Sequence, residues 1–389
     1  MWLGNAAALL FLFLLVFHRL VNVVECFVNH GRLGSVTRPD LSMSFKLRPS
    51  EVSPGDYVAP KFHVFGSLFD SNTPHIIYPG PAEADTLVVL VSGTGITPSI
   101  SENFLSSVSS AHSFPVIGIS YIFGPYADTQ RNEVIRNRAN GNLSMEQEYL
   151  ENYHNDVLYS GNKSGLVDVP QGSGLISRLS CLLSHLASQR PEEEGWSKFT
   201  TEQGLPRWEK LLLVGYSQGA GHLLYLATIE KCRGLILISG PQEIAHTGAD
   251  TKGWMGNKDI YKTRNIVAFK HARDETGHLM HDNWLCIDPL RLNEEGRCDE
   301  EVQEKLGDSA VSMEVTRLGV GGRCFHVDVE PNPDNPYPRP FHCSMMCDIS
   351  LPDGPPGLDP PKLYFHTLFP FMIEKALSSP IDALPSSRL

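Results

Sequence analysis

Positive charge is scarce in this chain. It carries 32 Lys and Arg against 44 Asp and Glu, a formal net charge of −12 over 389 residues. A protein that grips nucleic acid by its phosphates has the opposite surplus, so no nucleic-acid partner is expected. A phosphate-cradling P-loop, a G-x-G-x-x-G after a strand and a basic stripe are all missing, and with them the usual marks of a nucleotide cofactor. No repeat of fixed period is present, which argues against a solenoid or propeller. Long apolar runs are scarce too. The one example, Ala6 to Phe17, has twelve residues before His18 and Arg19 interrupt it. A bilayer-spanning helix needs roughly 20. Apolar matter as such is plentiful, at 41% of residues with 20% charged, a globular rather than disordered composition.

The short apolar run suits the h-region of a secretory signal peptide, with small side chains near a cut at Cys26–Phe27. Its n-region is atypical, because only the chain's amino terminus supplies positive charge. Residues 1–26 are therefore read as a signal, with an uncleaved N-terminal anchor as the alternative. After cleavage no stable membrane span is expected, and the location is secreted or in the secretory-pathway lumen. Eight cysteines fit an oxidising compartment. Cys181 and Cys232 sit in apolar helical patterns and read as core residues. Disulfides are expected among Cys286, Cys298, Cys324, Cys343 and Cys347, with connectivity open. Asn142-Leu-Ser and Asn162-Lys-Ser are sequons in polar stretches.

The middle of the chain alternates strands and helices. Thr86–Ser92 (TLVVLVS), Val116–Ser120, Leu211–Gly215, Leu235–Ser239 and Asn265–Lys270 read as strands buried on both faces. Helices are predicted over Ser101–Ala111, Gly174–Gln189, where apolar residues recur at helical spacing, and Gln218–Lys231. A last one is predicted over Leu363–Ala376. The order implies a mostly parallel sheet with helices on both faces. Residues 27–60 read as an N-terminal extension and 61–389 as one domain. Insertions fall near 122–172, with a helix at Met145–Tyr159, and near 275–310. Five prolines at 331, 333, 336, 338 and 340 make a loop.

One motif carries chemistry. The strand LLLVG runs into Gly215-Tyr-Ser-Gln-Gly219 and then a helix, a G-x-S-x-G in its required strand–turn–helix setting. Such a turn is tight. It lifts the Ser217 hydroxyl above the sheet and sets it near a helix N-terminus, whose partial positive charge favours a developing anion. Ser217 is thus a candidate nucleophile. His222, further along the same helix, reads as a packed neighbour.

Several stretches then carry a resemblance. They are Ser92-Gly-Thr-Gly-Ile-Thr-Pro98, Gly118-Ile-Ser-Tyr121, Trp208, Gly215-Tyr-Ser-Gln-Gly-Ala-Gly-His222, Ser239-Gly-Pro241 and Pro340-Phe-His-Cys-Ser344. From about residue 60 onward the chain resembles the α/β-hydrolase superfamily. Within it, the chain resembles a poorly characterised group of secreted serine hydrolases. The elbow is also similar to that of cutinases, which are much shorter. The resemblance implies an α/β-hydrolase fold, no cofactor, and a triad in the order Ser, acid, His.

His342, in the loop after the last strand, is the expected base, ahead of His278, His281, His326 and His366. Asp274, just past the strand ending in His271, is the expected acid. Glu275 and Asp282 are its rivals, and a helix N-cap is its bland alternative. The oxyanion hole is expected from the amide of Gln218 and from the glycine loop after the first strong strand, with Ile96 and its neighbour Gly95 as the second source. Cys324-Phe-His326, His342-Cys-x-x-x-Cys347 and the trio His271, His278 and His281 offer metal-type ligands without a regular zinc spacing, so no metal is expected. The implied activity is hydrolysis of a small-molecule or lipid-like carboxylic ester by a serine esterase. An acyltransferase and a catalytically silent binding protein of the same fold are the alternatives.

Overall fold

In the computed structural model the described residues are 44–53, 60–64, 67–189, 195–244, 253–256, 261–263, 265–287, 290, 316–318, 323–348 and 364–378. The expected signal, Cys26 and Cys298 lie outside them.

The strands are β1 (Phe45–Leu47), β2 (Lys61–Val64), β3 (Ser67–Asp70), β4 (His75–Tyr78), β5 (Leu87–Val91), β6 (Val116–Ile119), β7 (Leu211–Tyr216), β8 (Gly234–Ile238), β9 (Ile266–His271), β10 (Thr316–Leu318) and β11 (Cys324–Val327). The helices are α1 (Pro49–Val52), α2 (Glu102–His112), α3 (Asp128–Ala139), α4 (Leu143–Tyr159), α5 (Leu175–Gln189), α6 (Gln218–Ile229), α7 (Gly277–Cys286), α8 (Pro340–Cys343) and α9 (Phe369–Leu377). Among the described residues nine strands form one sheet in the order β1-β4-β6-β5-β7-β8-β9-β11-β10, and β2 pairs with β3 as a separate hairpin. Pairing is parallel from β6 through β11, and antiparallel only at β1–β4, β4–β6 and β11–β10. This is the α/β-hydrolase fold.

The continuous apolar strands follow from burial on both faces. Within β5, Val89 and Val91 face one core with Leu182, Leu183 and Leu186 of α5 and Leu223 and Leu224 of α6. Val88 and Leu90 face the other, with Phe104 and Leu105 of α2 and Met372 and Ile373 of α9. Period-two alternation sends successive side chains to opposite layers. β5 lies between β6 and β7, so the chain leaves it in one direction and returns on the other side. Such a reversal opens a crevice at the carboxyl ends of the strands, where α/β proteins place ligands. The loop at Gly93 and the elbow at Ser217 both begin there.

Some elements differ from expectation. Residues 45–47, read as part of the extension, are the sheet's edge strand. With three residues they are too short to show a periodic signal. The 122–172 insertion holds two helices rather than one. α3 (DTQRNEVIRNRA) has no apolar stripe, because its buried positions include Asp128, Arg131 and Asn132 alongside Ile135 and Ala139.

Among the described residues the thiols of Cys181, Cys232, Cys324, Cys343 and Cys347 are free. Cys286 donates to the Asp282 carbonyl within α7 at 3.3 Å, and Cys324 is buried in β11. Cys343 and Cys347 lie one helical turn apart, and the Cys347 thiol points at the Tyr216 hydroxyl at 3.9 Å. Both sequon asparagines are exposed, and Asn142 caps α4 by accepting from the Met145 amide at 3.2 Å. No helix among the described residues is long and apolar enough to cross a membrane.

Candidate active site

β7 delivers Ser217 to a bend that its neighbours make cramped. A Cβ added at Gly215 would lie 2.6 Å from Ala220 Cα, and one at Gly219 would lie 2.2 Å from the Val91 carbonyl oxygen. Only glycine fits either place. Ser217 itself has φ 53 and ψ −120, a backbone conformation that non-glycine residues rarely adopt and that surrounding structure must enforce. The Ser217 amide is tied to the Ile238 carbonyl of β8 at 2.8 Å. The hydroxyl therefore emerges from a rigid base at the crevice floor.

His342 sits on α8, directly after the proline-rich loop, and is 5% exposed. Its Nε2 lies 3.0 Å from Ser217 Oγ, and its Nδ1 lies 2.9 Å from Asp274 Oδ2. With Nδ1–H donating to the carboxylate, Nε2 is left as the acceptor for the serine proton. The imidazole's backbone is steadied from below, since the Tyr216 hydroxyl donates to its carbonyl at 3.3 Å.

Asp274 follows β9 and uses its two oxygens separately. Oδ2 takes the imidazole, and Oδ1 accepts from both the amide and the hydroxyl of Thr276 at 2.8 Å each. The helix that follows is N-capped by Thr276, so Asp274 closes a local turn with one oxygen and meets the imidazole with the other. His271, at the end of β9, fixes the same loop by accepting from the Arg273 amide at 3.0 Å and bonding the Val329 carbonyl at 2.7 Å.

The electrostatics match this geometry. Burial alone would raise the Asp274 carboxyl, but the facing imidazole and the Thr276 donors outweigh it and hold the group at about 2. Burial would lower His342, yet the Asp274 charge and hydrogen bond prevail and raise it.

The rivals stand elsewhere. His278, His281 and Asp282 lie on α7, His326 lies in β11, and His366 lies in the turn before α9. Glu275 is close, but it meets the backbone instead. Its Oε2 accepts from the His342 amide at 2.9 Å and its Oε1 from the Phe341 amide at 3.2 Å. It satisfies the first turn of the helix that carries the imidazole. That role was missed in the sequence, because it joins residues 67 apart. His222 is fully buried, its Nδ1 2.9 Å from Nδ1 of His154.

Two of the segments expected to form the oxyanion hole, Gln218 and the glycine loop, lie beside Ser217. Gln218 opens α6 and is fully buried. Its amide belongs to the first helical turn, whose N–H groups have no partner within the helix. The glycine loop also lies against Ser217, since a Cβ on Gly93 would meet Ser217 Cβ at 2.8 Å. The Ile96 amide, however, is spent on the Gly93 carbonyl at 3.1 Å. That bond closes a tight turn whose third residue, Gly95, has φ +73, the position that demands glycine. That turn bond engages the Ile96 amide and neither the Thr94 nor the Gly95 amide. No three His, Cys, Asp or Glu side chains among the described residues are grouped to hold a metal ion.

No family model matches the chain, and no curated protein does. Solved structures share a likeness at low identity. A carboxylesterase from Mesorhizobium loti is 13% identical over 52% of this chain and 73% of its own, with a TM-score of 0.29. A serine hydrolase without lid from Xanthomonas campestris is 12% identical over 61% and 82%, with a TM-score of 0.26. A soluble variant of monoglyceride lipase from Saccharomyces cerevisiae is 15% identical over 50% and 48%, with a TM-score of 0.23.

Proposed function

We propose that the protein is a serine hydrolase that cleaves a carboxylic ester through an acyl-enzyme. The observation that carries this reading is the unbroken chain from Ser217 Oγ through His342 Nε2 and Nδ1 to Asp274 Oδ2, at 3.0 and 2.9 Å. Ser217 attacks the acyl carbon as His342 takes its proton. The carbonyl π electrons move onto oxygen, and the amides of Gln218 and of the Thr94–Gly95 turn stabilise that oxyanion. Collapse of the tetrahedral adduct expels the alkoxide, which takes the proton from His342 and leaves as the alcohol. Water, deprotonated by the same imidazole, then releases the acid and restores Ser217. Asp274 keeps its negative charge throughout and stabilises the imidazolium.

The substrate class is a small or lipid-like ester. The setting proposed is the secretory lumen or the exterior, as the N-terminal apolar run implies. Labelling by a fluorophosphonate tests the mechanism. The wild-type chain should react at one serine, and Ser217→Ala should not react. Folded wild-type protein that stays unlabelled would defeat the proposal.

A further inference from the structure

One buried polar cluster fastens the insertion: Arg131 lies 2.8 Å from Asp128 on its own helix and 2.6 Å from Glu243 on the loop after β8. Another surrounds the main-chain carbonyl of His342. That carbonyl belongs to the last turn of four-residue α8, where helical carbonyls run out of amide partners. The amides that follow go elsewhere. Those of Met346 and Cys347 bond the Cys343 carbonyl at 3.2 and 2.9 Å, and among the described residues no backbone amide takes the carbonyl of His342. Two hydroxyls take it instead. Tyr216 Oη donates at 3.3 Å, and Ser239 Oγ donates at a longer 3.5 Å.

Both donors stand on the central sheet. Tyr216 ends β7, pairs with Ile238 of β8 and is buried. Ser239 comes directly after Ile238 and is buried as well, with its amide on the Phe269 carbonyl of β9 at 2.8 Å. Its φ of 48 lies in the left-handed region, which a serine seldom occupies unless its surroundings enforce it. The Tyr216 ring also lies beside the imidazole, with centroids 5.4 Å apart. Its hydroxyl accepts from the Cys347 thiol at 3.9 Å, a weak donor. Burial pushes the phenol well above its ordinary range, so it stays protonated and remains a donor. Tyr216 is also the residue before the nucleophile. Its peptide carries Ser217, while its side chain holds the main chain of the base. The polar groups of His342 are then all assigned: the N–H to Glu275, the ring to Ser217 and Asp274, and the carbonyl to Tyr216 and Ser239.

We propose that Tyr216 is a positioning residue of this site: its hydroxyl, backed by that of Ser239, holds the His342 main chain so that the imidazole stays within bonding distance of Ser217. The proposal rests on the hydrolase reading. With both hydroxyls gone the carbonyl would be buried without a donor, and α8 would have to shift to find one. A small displacement of a reacting group costs rate out of proportion to its size. The loss belongs in kcat, because the alignment matters as the proton moves from Ser217 to the ring.

The test compares Tyr216→Phe, Ser239→Ala and the double variant with wild type, as full chains, on a chromogenic short-chain ester. Phenylalanine keeps the ring and removes only the hydroxyl. Each single variant should lose about three- to tenfold in kcat, the equivalent of one neutral hydrogen bond, with KM within about threefold. The double variant should lose more than the product of the two single losses, because only there is the carbonyl left with no donor. An unchanged kcat in Tyr216→Phe would overturn the proposal. So would a double loss equal to that product, since the two hydroxyls would then act on different groups. A fall in kcat matched by a rise in KM would overturn it too, as the mark of a merely displaced pocket. Where one variant does not fold, the remaining single variant decides by the same split between kcat and KM. Failure of the hydrolase reading shows separately, as folded wild type that takes no fluorophosphonate label, and this proposal falls with it.

Discussion

At the scale of single residues, two positions divide chemistry from architecture. Asp274 is buried, ionised and bonded to the imidazole, so its charge does more than fill space. Asp274→Asn can still satisfy Thr276, but it invites the wrong imidazole tautomer. Turnover of a chromogenic ester should fall by about 10⁴, the size seen where the orienting acid of a Ser-His-Asp triad is neutralised. Thermal stability should change far less than activity. Gly219 is the architectural counterpart. A methyl there would press on the Val91 carbonyl at 2.2 Å, and that oxygen belongs to the central strand and cannot yield. Gly219→Ala should lose about 1–3 kcal/mol or more in a urea titration, the range for overpacking, and should lose fluorophosphonate labelling as the elbow shifts.

At the scale of elements, short α8 and polar α3 depend on charges from elsewhere in the chain. α8 is four residues long and cannot hold itself together. The Glu275 carboxylate binds its amides at Phe341 and His342, so an acid next to the triad's own acid positions the base. Glu275→Ala should cut kcat by about 10- to 100-fold, the equivalent of losing a charged hydrogen bond, with Asp274 and Ser217 intact. Glu275→Gln, which keeps one acceptor, should lose less. α3 docks by its ionic face. Arg131→Met would strand Asp128 and Glu243 in the interior, and such a removal typically costs about 3–5 kcal/mol. A fall of that size in the urea-unfolding free energy would mark the network as the insertion's anchor, and an unchanged midpoint would show that apolar contacts dock it.

At the scale of the whole molecule, the titrating groups define a working pH. In the proposed mechanism His342 must be neutral to accept the Ser217 proton, and the fold raises its midpoint above the ordinary value near 6.5. The kcat/KM profile should therefore rise with pH through a midpoint above about 6.5. The stability signs follow from the same pair. Asp274 is held at about 2 against an ordinary 3.8, so its contribution is full above 3.8 and is lost as pH falls through about 2. His342 is raised, so its contribution is full below 6.5 and fades as pH climbs through its folded midpoint. Unfolding free energy measured against pH should thus lose this pair's contribution at both ends.

The sequence alone determined the elements whose physics is local. Runs such as LVVLV and LLLVG can be buried only as central strands, and glycines flanking Ser217 at two-residue spacing permit one kind of bend. The parallel sheet and the elbow were legible for that reason. Asp274 and His342 were legible through chain order and resemblance, since nothing in their neighbourhoods brings residues 68 apart together. Only the tertiary structure decided that the Ile96 amide closes the turn at Gly93, that Glu275 serves the backbone while Asp274 serves the ring, that Cys324, Cys343 and Cys347 stay unpaired, and that a helix without an apolar stripe is buried. Each of these turns on a partner distant in the chain, and a charge's cost or value depends on what faces it once water is gone.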